Sequence, residues 1–426
     1  MKNLILWIAL LAASSAFAVT GENFEYIGYL RSGVGSNLKG GDQNCYHQYA
    51  VPGNEFRLGN ECGIYGESLF RAYTPFAKKA DGEFYRANLG ISYNPDGKAA
   101  NEPPKFYIFA AYVEAGRLDG SNSTIWIGRR YYRDGDLHLD DFFYFADTSG
   151  SGAGIEQIPL WNGNLAVALM FANTTHTDTV NGATTVVKTE NGTPRTLLLD
   201  VRLLETKIAE HDRLNFWVGY AGSTGGTDTL TQAKYGDATG YVGGVKFTHD
   251  LNQGYSKTAL IYGAGLMQGM NLGGAGGQGF GSDPIQTYNS VYDQSAHRLR
   301  AVEDLMFQPN SKYAVGFGAI YETWMLQNAG NHAGRYLSIG ARPIYFFSDH
   351  YSVAFEAGAS SVRQSGQAGG GSPMYRLTLA PQVSPKAEFY ARPVLRAFLT
   401  KTFIQGSPDA VIATSTSFGF QGEVWF

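Results

Sequence analysis

The stretch Ser417-Phe-Gly-Phe-Gln-Gly-Glu-Val-Trp-Phe426 decides how this sequence folds, because two kinds of side chain alternate along it. One face carries apolar side chains and the other carries small or polar groups and one indole: Phe418, Phe420, Val424 and Phe426 against Ser417, Gly419, Gln421, Glu423 and Trp425. Successive side chains of a β-strand point to opposite faces. A period of two therefore predicts a strand with one apolar face.

The same alternation recurs in several windows along the chain. Apolar residues occupy every second position over 165–171, 313–321, 337–345 and 351–357, while the intervening positions are mostly small, Gly or polar. In a soluble β-sandwich the second face would meet bulk water and carry more Lys, Thr and Glu. An apolar outside, rings near strand ends and a small or polar inside are typical of a transmembrane antiparallel β-barrel. A terminal aromatic such as Phe426 also favours the last strand of a bacterial outer-membrane barrel.

Composition excludes the other large classes. The 426 residues include 54 Gly, 14% aromatic and 16% charged residues, and the mean hydropathy is −0.20. A helical membrane protein needs runs of about 20 apolar residues, and a disordered chain lacks this much apolar content. A net charge of −4 gives no electrostatic footprint for nucleic acid. We expect an all-β fold with no nucleic-acid partner.

The N-terminus reads as an export signal. Lys2 supplies a positive charge, residues 4–13 are apolar, and Ala16-Phe-Ala18 fits a small-x-small cleavage site. A membrane anchor is the alternative, but the apolar run is short. We expect a signal peptide over 1–18 and one barrel domain over 19–426.

Two cysteines, Cys45 and Cys62, are consistent with an oxidising compartment. A disulfide, two free thiols and a metal pair are the possible states. His or Cys support at metal-ligand spacing is lacking.

Alternation places rings beside charges on the inward side of the predicted strands. The expected inward sets are Glu25, Tyr29 and Arg31; Arg57, Glu61, Tyr65 and Glu67, opposite Phe56, Leu58 and Ile64; Glu388, Tyr390, Arg392 and Arg396; and Gln421, Glu423 and Trp425. Rings stack on the C–H faces of a sugar, and ionised groups pair with its hydroxyls. The pattern favours a sugar pore, although an interface girdle or plug would use the same rings.

The densest polar segment runs from Arg133 to Tyr144. Asp136, His138 and Asp141 could be ligands of a metal, and the two aspartates could be the acid and nucleophile of a glycosidase. A constricting loop is the favoured interpretation. The sequence contains neither the Gly-x-Ser-x-Gly nucleophile elbow nor the His-Glu-x-x-His zinc motif, so we expect no enzyme.

Several motifs, in order along the chain, carry a family resemblance. They are Gly28-Tyr-Leu-Arg-Ser-Gly-Val-Gly35, Gly40-Gly-Asp-Gln-Asn-Cys45, Arg57-Leu-Gly-Asn-Glu-Cys-Gly-Ile-Tyr65, Ser123-Thr-Ile-Trp-Ile-Gly-Arg-Arg-Tyr-Tyr132, Ser149-Gly-Ser-Gly-Ala-Gly-Ile-Glu156 and Glu423-Val-Trp-Phe426. With them the chain resembles the maltoporin family of carbohydrate-specific outer-membrane porins, over the whole of the expected mature chain.

The resemblance implies an outer-membrane barrel of eighteen antiparallel strands, a homotrimer in contact with outer-membrane lipid, and a channel for facilitated diffusion of maltose-like or related oligosaccharides. It also implies a Cys45–Cys62 disulfide and an inward-folded constriction loop near 130–150. We expect no cofactor and no metal. The alternatives are a general or other-solute porin on the same scaffold and, less favoured, an exported polysaccharide-acting enzyme.

The resemblance also assigns residues. An aromatic slide would contain Tyr29, Tyr65, Tyr390 and Trp425, and the constriction with its polar track would contain Arg31, Arg57, Glu67, Asp136, His138, Asp141 and Phe143. The sequence departs from the family pattern at several places. No Trp occurs within 93–104 to serve a neighbouring subunit, a slide Phe corresponds to Thr258, a constriction Tyr to Phe143, and a track Arg to Asp134. These departures leave the preferred sugar open.

Overall fold

The computed structural model describes most of the chain after residue 18. The described residues are 19–21, 23–46, 56–74, 82–94, 105–173, 177–180, 183–188, 195–228, 232, 234–269, 295–326, 332–364, 373–405 and 414–426. The expected signal peptide and the Gly-rich tracts 271–282 and 366–372 lie outside them.

Eighteen long strands form the wall of the molecule. They are β2 (Phe24–Asn37), β3 (Gly63–Tyr73), β4 (Phe84–Asn94), β5 (Lys105–Gly116), β6 (Thr124–Arg130), β9 (Gly150–Leu160), β10 (Gly163–Asn173), β13 (Arg195–Lys207), β14 (Asp212–Ser223), β17 (Ala238–Leu251), β18 (Gly254–Gly265), β19 (His297–Asn310), β20 (Tyr313–Leu326), β21 (His332–Phe346), β22 (Tyr351–Gln364), β23 (Met374–Val383), β24 (Val394–Ile404) and β25 (Thr414–Trp425).

Each wall strand pairs antiparallel with its neighbours, and the first pairs with the last. Tyr29 of β2 lies opposite Trp425 of β25 on one side and opposite Glu67 of β3 on the other. A short strand β1 (Val19–Gly21) extends this seam by pairing with Phe24–Tyr26. The sheet is therefore a closed barrel, which leaves no free edge in a membrane. The predicted all-β fold and its eighteen strands are confirmed.

The remaining elements are short. The pair β7 (Arg133–Leu137) and β8 (Phe142–Asp147) forms a separate hairpin, and four small strands form a second sheet: β11 (Thr177–Val180), β12 (Ala183–Lys188), β15 (Gly226–Asp228) and β16 (Lys234–Tyr235). A 3₁₀-helix spans Leu118–Gly120. Within the described ranges, no helical segment has the length and hydropathy needed to cross a bilayer.

The two ends of the barrel differ in their connections. Two-residue turns join strands at 161–162, 252–253 and 311–312, whereas the opposite end carries the long connections 174–194 and 266–296. Barrels of outer membranes have short periplasmic turns and long external loops. The short-turn end is therefore the periplasmic end, and β2 begins there.

The outer face of the wall is an apolar belt between two levels of rings. Exposed side chains at membrane depth include Leu30, Leu89, Val113, Leu169, Leu199, Val218, Leu260 and Leu379. Tyr241 and Tyr262 contact each other near the external end, with ring centroids 6.1 Å apart. Tyr313 and Tyr345 form a similar pair at the periplasmic end, 5.2 Å apart. This outer face is that of a transmembrane β-barrel.

One strand prediction was wrong. Residues 56–62 do not continue β3 but form an arm of the first external loop that folds into the barrel. Phe56 and Leu58, which we expected to face outward, are 1% exposed inside it. Phe56 has a left-handed φ of 51°, and Gly59 follows at φ +65°, so the chain turns instead of extending. We refer to residues 56–62 as the loop 1 arm.

Candidate functional site

The hairpin of β7 and β8 lies inside the barrel and narrows it, as the resemblance led us to expect. Leu137 packs where inward-facing Gly318 leaves space, and Phe145 packs over Gly244 in the same way. The Asp134 carboxylate pairs with Lys246 of β17 at 2.6 Å. The Arg300 guanidinium of β19 donates to the Tyr144 carbonyl oxygen at 3.0 Å. We call residues 133–147 the constriction hairpin.

The loop 1 arm and the constriction hairpin hold each other in the lumen. The backbone N–H of Arg57 donates to the Leu139 carbonyl oxygen at 2.9 Å, and the Phe56 N–H donates to the Asp140 carboxylate at 2.9 Å. On its other side the arm accepts a hydrogen bond from Thr378 and donates one to Glu356. Both inward segments are therefore fixed to the wall and to each other.

A disulfide joins Cys45 to Cys62, with Cα atoms 5.9 Å apart. It ties the end of the loop 1 arm to the chain that leaves β2. Closing a 17-residue separation contributes about 3 kcal/mol in the chain-entropy model. The disulfide implied by the resemblance is confirmed.

Aromatic rings form a continuous path along the lumen. Tyr65 and Tyr29 have centroids 6.1 Å apart, and Tyr29 stacks on Trp425 at 6.5 Å. The imidazole of His138 forms T-shaped contacts with Trp425, at 5.8 Å between centroids, and with Tyr390, at 5.4 Å. We name Tyr65, Tyr29, Trp425, His138 and Tyr390 the ring path. It runs from the external half of the barrel towards the periplasmic turn that carries Tyr390.

Sequence reasoning missed a ring at the external end of this path. Tyr131, just before the constriction hairpin, stacks on Phe109 with centroids 4.5 Å apart. Its hydroxyl donates to Glu67 at 2.7 Å, and the Tyr65 hydroxyl donates to the same carboxylate. The guanidinium of Arg133 lies between the rings of Tyr131 and Phe143, at 3.8 and 3.7 Å. The adjacent Tyr131-Tyr132 pair was the only signal in the sequence.

Ionised groups follow the ring path on one side. Glu423 accepts hydrogen bonds from Arg57 at 2.9 Å, from Arg392 at 2.9 Å and from Arg396 at 3.2 Å. Arg57 also contacts Glu61 at 2.8 Å, and Arg31 pairs with the same carboxylate. We call the four arginines Arg31, Arg57, Arg392 and Arg396 the arginine cluster. Its charges are buried, and buried charges persist only when they are paired or hydrogen-bonded.

The arginine cluster also reaches the rings themselves. The Arg392 guanidinium lies 3.9 Å from the centre of the Trp425 ring. Arg57 donates to the Tyr29 hydroxyl at 2.7 Å. Arg31 lies 5.6 Å from the Tyr65 ring centre. The ring path and the polar groups are thus one surface, in which Trp425, Tyr29 and Tyr65 each contact a guanidinium.

His138 sits at the centre of this surface without a charge. Its two ring nitrogens face Arg57 at 3.3 Å and Arg392 at 3.2 Å. Burial, together with the neighbouring guanidinium of Arg57, holds the pKa of His138 well below its usual range. The imidazole is therefore neutral at physiological pH and contributes a ring edge.

Asp141 lies in the turn of the constriction hairpin, and Asp136 lies in β7. Asp141 lies 3.6 Å from Arg31 and has a left-handed φ of 48°. Asp136 pairs with Phe143 across the hairpin, and its side chain is exposed within the lumen. Its enclosed position, with the Asp141 charge nearby, raises the pKa of Asp136 to about 6. Among the described residues, no group of three or more His, Cys, Asp or Glu is arranged as a metal site.

Three other predicted positions need correction. Glu388 does not join Arg392 and Arg396 on an inward face, because residues 384–393 form a turn and Glu388 lies beside Lys386 at the surface. Arg392 reaches the lumen from that turn, not from a strand. Thr258 faces outward with Leu260 and donates to Glu303 of the next strand, so it does not replace a slide ring. The inward ring of β18 is Tyr255, whose hydroxyl contacts that of Tyr390.

A closed barrel with an apolar belt outside and a narrowed, charged lumen defines a channel through the outer membrane, the porin class, and not an enzyme. The chain belongs to the LamB porin family, whose model matches residues 24–426.

Solved structures include similar chains at low sequence identity. Pseudomonas aeruginosa OccD3 (OpdP) is 11% identical, with 98% of this chain and 96% of that chain covered and a TM-score of 0.46. Acinetobacter baumannii OccAB4 is 10% identical over 95% and 98%, with a TM-score of 0.47. Salmonella typhi OmpF, in a complex with daunomycin, is 12% identical over 94% and 98%, with a TM-score of 0.44.

Proposed function

We propose that this porin is a channel for the facilitated diffusion of sugars, of the maltose, malto-oligosaccharide or related oligosaccharide type. The observation that carries the proposal is the ring path with the arginine cluster beside it. A pyranose stacks its C–H face on a ring while its hydroxyls pair with ionised groups at the edge. Spacings of 6.1 and 6.5 Å between successive rings let a sugar move from one to the next.

The same surface also allows a bound sugar to dissociate readily. Conduction requires each site to bind weakly enough for the solute to leave. The carboxylates of the lumen are already engaged by arginines, as Glu423 is by three of them. A sugar hydroxyl therefore shares these groups with an existing ion pair, and each contact remains weak.

In this proposal Tyr29, Tyr65, Trp425 and Tyr390 form the slide, and Arg31, Arg57, Glu67, Asp136, His138, Asp141 and Phe143 form the constriction and polar track. Phe143 offers a sugar no hydroxyl, and its ring faces Arg133. A substrate that needs a hydrogen bond there would lose about 1–3 kcal/mol. Sugars that do not need it are favoured.

Liposome swelling tests the proposal. Proteoliposomes should swell in oligosaccharides at rates that saturate with concentration, because the solute occupies sites. They should swell in uncharged polyols of similar size at rates that increase linearly. Linear rates for every oligosaccharide, equal to those of the polyols, would contradict a sugar site.

A second candidate is a channel for small anionic solutes on the same scaffold. It is favoured by the arginine cluster, in which four guanidiniums share the three carboxylates Glu61, Glu423 and Asp141. The reversal potential in a salt gradient separates the two candidates. Strong anion selectivity without saturable sugar transport would favour the second one.

We also propose that the protein is a homotrimer and that residues 1–18 are removed as a signal peptide. An apolar groove on the outer wall supports the assembly, since small residues there leave a depression between large ones. It is lined by residues that include Val34, Phe347, Tyr351, Pro381, Val383, Leu395, Ala397, Phe420 and Gly422. Edman sequencing of the mature chain should begin at Val19, and a different start would contradict the cleavage site.

A further inference from the structure

Two exposed arginines lie opposite each other on the outer wall, and a channel through the lumen gives no reason for them. Arg335 of β21 and Arg363 of β22 are directly opposed in the antiparallel register. Both are exposed, and both share the outward parity of Leu337 and Ile339. Like charges directly opposite each other on one face destabilise a sheet. Such a pair is stable when an anion lies between the two guanidiniums.

The surroundings supply no carboxylate. In the part of the chain that the structure describes, neither guanidinium has a hydrogen bond or an ion pair with another side chain. The flanking segments 327–331 and 365–372 contain no Asp or Glu in their sequence. The register partner of Arg335 on the other side is Thr323, which is neutral. Among the described residues and in these two segments, nothing supplies the negative charge that the pair needs.

The height of Arg335 and Arg363 on the outer wall indicates which anion can reach them. Arg335 follows the start of β21 closely and Arg363 precedes the end of β22, both at the end with the long loops. The next outward row towards the membrane contains Tyr321, Leu337 and Ser361. Tyr321 is 42% exposed and belongs to the external level of rings. Rings at that level mark the membrane interface, so the guanidiniums lie at the height of the lipid headgroups of the outer leaflet.

We propose that Arg335 and Arg363 form a binding site for the phosphate group of an outer-leaflet lipid. The planar guanidinium donates two parallel hydrogen bonds to phosphate oxygens, and two of them can hold one phosphate from both sides. The hydroxyl of Thr323, in the same row, and that of Ser361, one row closer to the membrane, offer further donors. The acyl chains of such a lipid would lie along the exposed Leu337 and Ile339 below.

Native mass spectrometry of the detergent-purified protein tests this site, with diphosphoryl lipid A, the same lipid after enzymatic removal of its phosphates, and inorganic phosphate as probes. The double variant R335Q/R363Q should bind diphosphoryl lipid A about tenfold more weakly than wild type, the loss expected for strong charge-assisted hydrogen bonds. The variant R335E should lose binding to the same extent. It places a carboxylate opposite Arg363, so the fold is kept while the guanidinium is occupied internally. R129Q is the matched control, because Arg129 is also exposed near the external end but lies opposite Ala111 and Ser151.

The proposal predicts that R129Q binds like wild type and that the dephosphorylated lipid binds weakly. Wild-type affinity in R335Q/R363Q would overturn it, and so would equal binding of the dephosphorylated lipid. An equal loss in R129Q would overturn it as well, because general surface charge would then explain the binding. Displacement of the lipid by millimolar inorganic phosphate would show a site for free anions and contradict a lipid site.

Discussion

Trp425 combines the contacts that define the lumen at the scale of single residues. It stacks on Tyr29, meets the edge of His138 and carries the Arg392 guanidinium over its ring. The alternation of side chains between the two faces of a strand (their parity) predicted that Tyr29 and Trp425 share the inward side, because both lie within regular strands. Parity placed Arg392 inward as well but wrongly within a strand, since that residue reaches the lumen from a turn. The same limit explains why Tyr131 was missed.

Removing the Trp425 ring should weaken sugar binding. Trp425→Ala should lower the binding constant for an oligosaccharide about fivefold, because a ring contact contributes about 1 kcal/mol. Concentration-dependent current block measures the constant. Trp161→Ala is the matched control, since Trp161 is 81% exposed on a periplasmic turn. Equal block in wild type and Trp425→Ala would remove Trp425 from the slide.

Two variants of Tyr65 distinguish the contribution of its ring from that of its hydroxyl. Tyr65→Phe keeps the ring and loses the hydrogen bond to Glu67, whereas Tyr65→Ala loses both. If the ring binds the sugar, Tyr65→Phe should retain most of the affinity and Tyr65→Ala should lose it about fivefold. The same current-block titration measures both. Similar losses in the two variants would assign the role to the hydroxyl instead.

Asp136 should make ion selectivity depend on pH. Its pKa of about 6 means that the carboxyl is charged at pH 7 and becomes neutral as the pH falls through 6. Because the constriction then loses a negative charge, the preference for cations should decrease between pH 7 and pH 5. Reversal potentials in a KCl gradient measure this change, and Asp136→Asn should show the low-pH value throughout. A pH-independent potential in wild type would contradict the assignment.

The same raised pKa affects stability in a defined direction. Folding disfavours the charged form of Asp136, so its contribution to the free energy of unfolding decreases as the pH rises towards 6. Below its ordinary range the carboxyl is neutral in both states and contributes no difference. The negative charge of Asp136 therefore contributes to ion selectivity without stabilising the folded protein.

At the scale of elements, the inward segments depend on glycines of the wall. Gly318 faces Leu137 of the constriction hairpin, and Gly340 and Gly358 face Phe56 of the loop 1 arm. Alternation predicted these glycines on the inner face but not the reason for them. They leave space for a second layer of chain inside the barrel. The loop 1 arm was mistaken for a strand because Arg57, Glu61 and Tyr65 happen to have the same parity.

Filling that space should displace the loop 1 arm. In Gly358→Ala the new Cβ would lie 2.3 Å from the Phe56 ring, so Phe56 has to move. We expect a loss of about 1–3 kcal/mol from overpacking, and a noisier channel because the arm also holds the constriction hairpin. Thermal unfolding and single-channel recordings measure the two effects. Gly243→Ala is the control, since no atom of the described residues lies within 4 Å of its new Cβ. Equal behaviour of the two variants would contradict the packing.

At the scale of the whole molecule, the sequence predicted the barrel well because a membrane wall permits few solutions. Each strand must be apolar outside, and the last strand must pair with the first, as Leu30 and Val424 do. The resemblance implied the constriction hairpin, but the entry of the loop 1 arm into the lumen could not be predicted. That depends on contacts between residues far apart in sequence, such as the N–H of Phe56 with Asp140.

The proposed trimer can be tested at its groove. Gly422→Leu should fit the single barrel, since among the described residues only Leu395 lies within 4 Å of its new Cβ, at 3.4 Å, an ordinary contact. It would fill the groove between Val34 and Leu395 and should lower the temperature at which the oligomer dissociates on unheated gels. The heat-modifiable monomer band should be unchanged. An unaltered dissociation temperature would place the subunit contact elsewhere.

The central claim, that sugars bind along the ring path, is tested most directly by ion current through single channels in planar bilayers. A panel of oligosaccharides should be added to wild type, Trp425→Ala and Trp161→Ala. We predict that at least one series blocks the current in a saturable way, that block strengthens with chain length while the sugar spans more rings, and that only Trp425→Ala weakens it. Absence of block by every oligosaccharide in wild type would contradict the claim.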